Sequence, residues 1–231
     1  MALVGFVRNI CFRKDNNCLH NNNTKIDFFT RRKSTFSTIY FIYNIIEVNF
    51  VVTMEDKKSI RQEVRRRIKL LDEAEMLRQS REVFGAIEST ALFKDVECVA
   101  LFVAMWDEVP TAEVLERWRL MGKRVVVPRV EGDVMRYYDY HPDRMTVGAF
   151  GIIEPVGVEE VSAADIDLMI VPARAFTPQG DRLGRGGGFY DKYMALPGFR
   201  AVKYGVAFAC QIFDTLPTDS HDIPVERIFY C

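Results

Sequence analysis

Four short, strongly apolar runs constrain this chain most: residues 96–105 (VECVALFVAM), 124–128 (RVVVP), 167–171 (DLMIV) and 203–209 (KYGVAFA). A strand with one solvated face alternates apolar and polar side chains. Runs that do not alternate must be covered on both faces, as in a parallel sheet with helices above and below. The segments between them supply helices. Ile60, Val64, Ile68 and Leu71 recur at spacings of three and four, which is one stripe of a helix over residues 57–71. Asp72 reads as the N-cap of a second helix running to about Thr90, with Glu75 three residues on as in a capping box. Residues 111–121 read as another helix, stopped by Gly122. Residues 134–140 read as a more exposed strand, residues 189–195 as a short helix, and residues 203–209 as the last core strand. This alternation predicts one α/β domain with a mostly parallel sheet.

Charge divides the chain in two. Residues 1–53 hold seven Lys or Arg and three Asp or Glu, a net of +4, whereas residues 54–231 carry a net of −5. The acidic segment offers no basic face for nucleic acid. Residues 36–52 are rich in Ile, Phe, Tyr and Val, but Asn44, Glu47 and Asn49 interrupt them. They fall short of the roughly 20 clean apolar residues of a membrane span. Residues 1–53 therefore read as a disordered extension or as sequence upstream of a true start at Met54, with a targeting segment as the alternative. Residues 54–231 read as the functional domain. The five cysteines include no CxxC pair and there are only three histidines, a poor basis for structural zinc. An odd, unpaired cysteine set fits a reducing compartment, the cytoplasm. Cys98 and Cys210 lie in apolar runs and read as small buried side chains.

Chemistry concentrates in residues 171–193, VPARAFTPQGDRLGRGGGFYDKY. A buried strand ends at Val171–Pro172, and a polar loop follows that carries Gly180, Gly184, Gly186, Gly187 and Gly188 around Arg182 and Arg185. Ligands of open α/β sheets bind beyond the carboxyl ends of strands. Glycines let backbone N–H groups approach an anion, and a helix start adds a favourable dipole. Arginines add forked donors suited to phosphate, and Asp191 stands where a carboxylate meets magnesium. The loop thus reads as a polyphosphate cradle, with a merely structural glycine turn as the alternative. It is neither a GxxxxGK[ST] loop nor a GxGxxG placed after a first strand.

Residues 176–191, above all RLGRGGGFYD, resemble the signature of the 5-formyltetrahydrofolate cyclo-ligase family, a pattern close to RLGxGxGYYD. Phe189 stands for the first Tyr, and Gly187 sits where several relatives carry Lys, a contact that Arg185 or Lys192 can cover. Three further elements follow the family's order. Lys57, Lys58 and Arg61 resemble its N-terminal KxxxR element, Glu108 to Thr111 its ExxT element, and His221 to Val225 its closing element.

The resemblance implies a single three-layer Rossmann-like domain, with a mostly parallel sheet flanked by helices, of the NagB/RpiA/CoA-transferase type. It implies ATP-dependent conversion of 5-formyltetrahydrofolate to 5,10-methenyltetrahydrofolate. The ATP site it implies is Lys57, Lys58, Arg61, Arg182, Leu183, Gly184, Arg185, Gly186, Gly187, Gly188, Phe189 and Tyr190. The implied folate site is Val103, Glu108, Arg185, Gly186, Gly187, Gly188 and Phe189. Arg185 is the implied catalytic group, and Asp191 and Asp222 the implied magnesium ligands. The expected partners are small molecules, with no nucleic acid and no membrane, for a monomer or weak dimer. Two other readings remain: a nucleotide- or folate-binding protein without turnover, and an isomerase or CoA-transferase of related architecture, which would not need ATP.

Overall fold

The computed structural model describes residues 56–148, 151–157 and 159–231. The expectations for residues 1–53 and for a start at Met54 lie outside them. Helix α1 (Lys57–Ile68) begins at Asp56, whose carboxylate accepts the Ser59 N–H at 2.7 Å and buries the stripe Ile60, Val64 and Ile68. Helix α2 (Glu73–Glu88) is capped by Asp72, which accepts the Glu75 N–H at 2.8 Å. The reciprocal half of the capping box is absent, because the Glu75 carboxylate turns to Arg78 and Gln79. A short α3 (Ala91–Asp95) leads to β1 (Cys98–Ala100), α4 (Ala112–Leu120), β2 (Arg124–Glu131) and β3 (Val134–Asp139). The hairpin β4 (Met145–Val147) and β5 (Ile153–Pro155) precedes β6 (Glu160–Val161) and β7 (Leu168–Pro172). A small hairpin, β8 (Ala175–Phe176) with β9 (Arg182–Leu183), leads to α5 (Phe189–Met194), and β10 (Val202–Ala207) and β11 (Arg227–Tyr230) finish the chain.

The main sheet has the order β11-β10-β7-β1-β2-β3-β6. Pairing is parallel from β11 through β2 and antiparallel at β2–β3 and β3–β6. Side chains alternate between the two faces. Val99, Val125, Val127, Leu168 and Ile170 pack with α1, α2 and α4 in one core, while Cys98, Ala100, Val126, Met169 and Val171 pack with Tyr193 and Met194 of α5 in another. Both faces are covered, which is why the strand sequences do not alternate.

Four details differ from the sequence reading. The run 96–105 is a strand only over Cys98–Ala100. Leu101 still donates to the Val126 carbonyl at 2.9 Å, but the Ala104 and Met105 N–H groups bond Thr111 Oγ1 and Glu108 Oε2 instead of a strand partner. Residues 134–139 are not an exposed strand, since Met135, Tyr137 and Tyr138 are buried. The run at 203–209 is not the last strand, because β11 adds parallel to β10 at the sheet edge. The polar loop after β7 contains the hairpin β8–β9, whose Arg182 and Leu183 are buried. Among the described residues, no helix is long and apolar enough to cross a membrane.

Candidate active site

The first strand, β1, has its successor β2 on one side and β7 on the other, so the strand order reverses there. A cavity of about 340 Å³ opens at the carboxyl ends of these strands, the crevice where open α/β sheets take ligands. Phe102, Val103 and Met105 line it after β1, Pro128 and Val130 from β2, and Pro172 and Ala173 at the end of β7. These walls are apolar. The polar groups that enter are Glu108, Glu154, Arg182, Arg185 and Asp191, together with the backbone of Gly184, Gly187 and Gly188.

The glycine loop lies between β9 and α5. Gly186 has φ 111°, a conformation that side chains strongly disfavour. A Cβ on Gly187 would sit 2.8 Å from the Phe189 ring. A lysine at that position therefore requires the ring to move, so Gly187 and Phe189 go together. Arg182 is buried beneath the loop. It ion-pairs with Asp191 and donates from Nε to the Ile223 carbonyl at 3.0 Å. Arg185 reaches across to the loop after β1, donating to Glu108 Oε1 at 2.8 Å and to Asp107 Oδ1 at 2.5 Å. Asp107 has a fully buried side chain and also holds Arg174. Burial would raise the Asp107 pKa, but the Arg185 and Arg174 guanidiniums outweigh it and hold the carboxyl below its ordinary value. The bridge is therefore intact at neutral pH, and its contribution fades only as pH falls through the acid range below that value. In both Arg182 and Arg185, Nη1 takes no partner among the described residues, which leaves each a donor for an anion.

The N-terminal turn of α1 closes the other side. Lys57 and Arg61, one helical turn apart, share a face. The Arg61 Nε donates to the Gly184 carbonyl at 2.8 Å, and its guanidinium lies 3.8 Å from where a Cβ on Gly186 would sit. Lys57 Nζ bridges Asp219 and Asp222 at 2.8 and 2.6 Å. Burial would raise Asp222, but Lys57 and the Asp219 N–H hold it below the ordinary range. Lys58 is rotated off this face, exposed, and makes no side-chain bond among the described residues.

Carboxylate oxygens are hard donors suited to magnesium. Asp219, His221 and Asp222 present ligand atoms within 4.8 Å of one another. Asp191 is not in that group, but its Oδ1 accepts the N–H of Ile223, the residue after Asp222, at 2.9 Å. Asp191 and Asp222 thus stand on adjoining segments, with Asp191 held by Arg182 and Asp222 by Lys57.

The structure brings Val103, Glu108, Arg182, Gly184, Arg185, Gly187, Gly188, Phe189, Tyr190 and Asp191 to one cavity. Leu183 and Gly186 support the loop from outside that lining, and Lys58 stands apart. Sequence reasoning missed Asp107, Arg174, Asp219 and Glu154. Asp107 carried a weak signal as the neighbour of Glu108, whereas Arg174 and Glu154 reach the site only through the fold.

A half-enclosed apolar cavity at a topological switch point, entered by arginines and a glycine loop, belongs to an α/β enzyme acting on a small anionic molecule. The chain belongs to the 5-formyltetrahydrofolate cyclo-ligase family, whose match spans residues 53–231. A mouse protein named 5-formyltetrahydrofolate cyclo-ligase is 28% identical over 197 aligned residues, covering 75% of this chain and 93% of the mouse protein. An Escherichia coli K12 protein of the same name is 32% identical over 56% of this chain and 75% of its own length. The NMR structure of Aquifex aeolicus 5,10-methenyltetrahydrofolate synthetase superposes with a TM-score of 0.69 at 36% identity, covering 75% of this chain and 89% of that one.

Proposed function

We propose that the chain uses ATP to convert 5-formyltetrahydrofolate to 5,10-methenyltetrahydrofolate, releasing ADP and phosphate. The observation that carries this reading is that the family signature loop, Arg185 and Glu108 meet at one cavity. In the reaction, the formyl oxygen attacks the γ-phosphorus of ATP and the bond to ADP breaks. N10 of the folate then attacks the activated formyl carbon. Its proton is lost and the carbon–oxygen bond breaks, so phosphate departs as the ring closes. Phosphoryl transfer asks the protein mainly for positioning and charge neutralisation.

Each group has a role in that scheme. Loop amides from Gly184 to Gly188, with Lys57, Arg61 and Arg182, hold the phosphates. Arg185 places its free Nη1 at the transferring phosphoryl group. Asp191 and Asp222 would hold magnesium, which when bound neutralises phosphate charge. Val103 and Phe189 form apolar walls for the pterin, and Glu108 anchors its donor edge. The phenol of Tyr190, pushed up by burial and by Glu108, stays neutral at physiological pH and can donate. Lys58 plays an outer part. The fold is of the three-layer NagB/RpiA/CoA-transferase type, residues 54–231 are the catalytic unit, and the enzyme is a cytoplasmic monomer or weak dimer.

The test is the near-ultraviolet band of the methenyl product. The full chain and residues 54–231 should both produce it, and only with ATP and magnesium together. ATP binding without the band would favour a non-catalytic binding protein. Within the scheme, Glu108→Ala should raise the folate KM about tenfold or more, the worth of a charged hydrogen bond. Steady-state kinetics that leave that KM unchanged would remove Glu108 from the pterin site.

A further inference from the structure

The cavity holds two acids, Glu108 and Glu154, and they are not in the same state. Glu108 is occupied: Oε1 accepts Arg185, and Oε2 accepts the Met105 N–H at 3.0 Å. Glu154 lies on β5, is 5% exposed, and lines the same cavity. Its Oε1 accepts the Val130 N–H at 3.1 Å, which ties the hairpin to β2 and sets the carboxylate in the wall. Oε2 takes no bond from the described residues, and it fills space that a side chain on Gly148 would claim, since a Cβ there would sit 1.9 Å away. The neighbouring cation on β2, Arg129, is spent on Glu131, the Tyr138 hydroxyl and the Pro155 carbonyl. Among the described residues no Lys, Arg or His comes within ion-pair distance of Glu154.

A buried carboxylate without a cation is costly unless something donates to it. Pro128, Val130, Met135 and Ile152, which line the same cavity, have no side-chain donor, and neither Arg182 nor Arg185 pairs with Glu154. Oε2 is not enclosed, so water reaches it while the cavity is open, and a ligand that fills the cavity displaces that water and must bring a donor of its own. A purely structural acid would need only its bond to Val130, and a glutamine would serve it as well.

We propose that Glu154 is a specificity-determining substrate residue: its free carboxylate oxygen accepts the one N–H of the pterin's 2-amino group that Glu108 does not hold. This rests on the folate reading above and adds a second anchor, on β5, to the one that Glu108 supplies. The 2-amino group carries two hydrogens, so acceptors on two different segments can share it. Recognition by a buried acceptor also rejects analogues that lack the donor, because the acid is then left unpaired.

The test is calorimetric titration of the full chain with 5-formyltetrahydrofolate and with its 2-desamino-2-methyl analogue, for wild type and Glu154→Gln, alongside turnover. Wild type should bind the analogue at least tenfold more weakly than the parent. Glu154→Gln should weaken the parent about tenfold, lose most of that discrimination, and change the ATP KM less than twofold. Equal wild-type affinity for parent and analogue overturns the proposal, whether or not the variant folds. So does a folded Glu154→Gln with unchanged folate affinity. Loss of turnover in wild type with this discrimination intact would count against the cyclo-ligase reading and leave Glu154 in place.

Discussion

Replacing Arg185 by Ala should lower kcat by about 100-fold or more, the usual loss when a charged donor at a transferring phosphoryl group is removed. The structure separates this from a folding defect. After the change Asp107 keeps Arg174, and Glu108 keeps the Met105 N–H, so neither acid is left bare. The melting temperature should therefore move by only a few degrees, as for an isolated substitution without a new buried charge. Lysine at 185 keeps the charge but loses the fork that engages Asp107 and Glu108 together, so it should recover only part of the rate. Near-normal turnover of the Arg185→Ala enzyme would remove this side chain from the phosphoryl site.

Arg182 should behave in the opposite way. Its side chain is 3% exposed and pairs with Asp191, itself 15% exposed. Removing the guanidinium leaves Asp191 without its cation and the Ile223 carbonyl without a donor. Breaking one partner of such a buried pair costs about 3–5 kcal/mol. For a domain of this size that is a fall in melting temperature of roughly 10 °C. The pairing can be isolated by a double-mutant cycle with Asp191→Asn, in which Arg182→Ala should cost clearly less once the acid is gone. Strictly additive effects would mean that Arg182 matters through packing and Ile223 rather than through Asp191. The two arginines lie three positions apart on one motif, yet the first change is expected to show in turnover and the second above all in stability.

Much of the fold was legible in one dimension. Continuous apolar runs meant strands covered on both faces, and stripes such as Ile60, Val64 and Ile68 meant helices packed on them. These readings depend on periodicity, which local sequence carries fully. Boundaries were less legible where a side chain competes with the sheet for backbone. The run at 96–105 has strand composition throughout, but Thr111 and Glu108 take the N–H groups of Ala104 and Met105 and turn that segment into a cavity wall. The strand at 134–139 looked exposed because Arg136 and Asp139 interrupt it, although β2, β6 and α5 bury its tyrosines.

The sequence by itself determined the α/β class and the family, because a signature such as RLGRGGGFYD specifies backbone conformation and charge within ten consecutive residues. Only the tertiary structure decided which charges are spent and which remain free. Arg185 meets Asp107 and Glu108 from 77 or 78 positions away, Lys57 meets Asp222 from 165, and Arg174 meets Asp107 from 67. Whether an acid is neutralised depends on what lies within a few ångströms of it in space. That is why Glu154, ordinary in the sequence, becomes a buried acid facing the ligand cavity once the hairpin folds against β2.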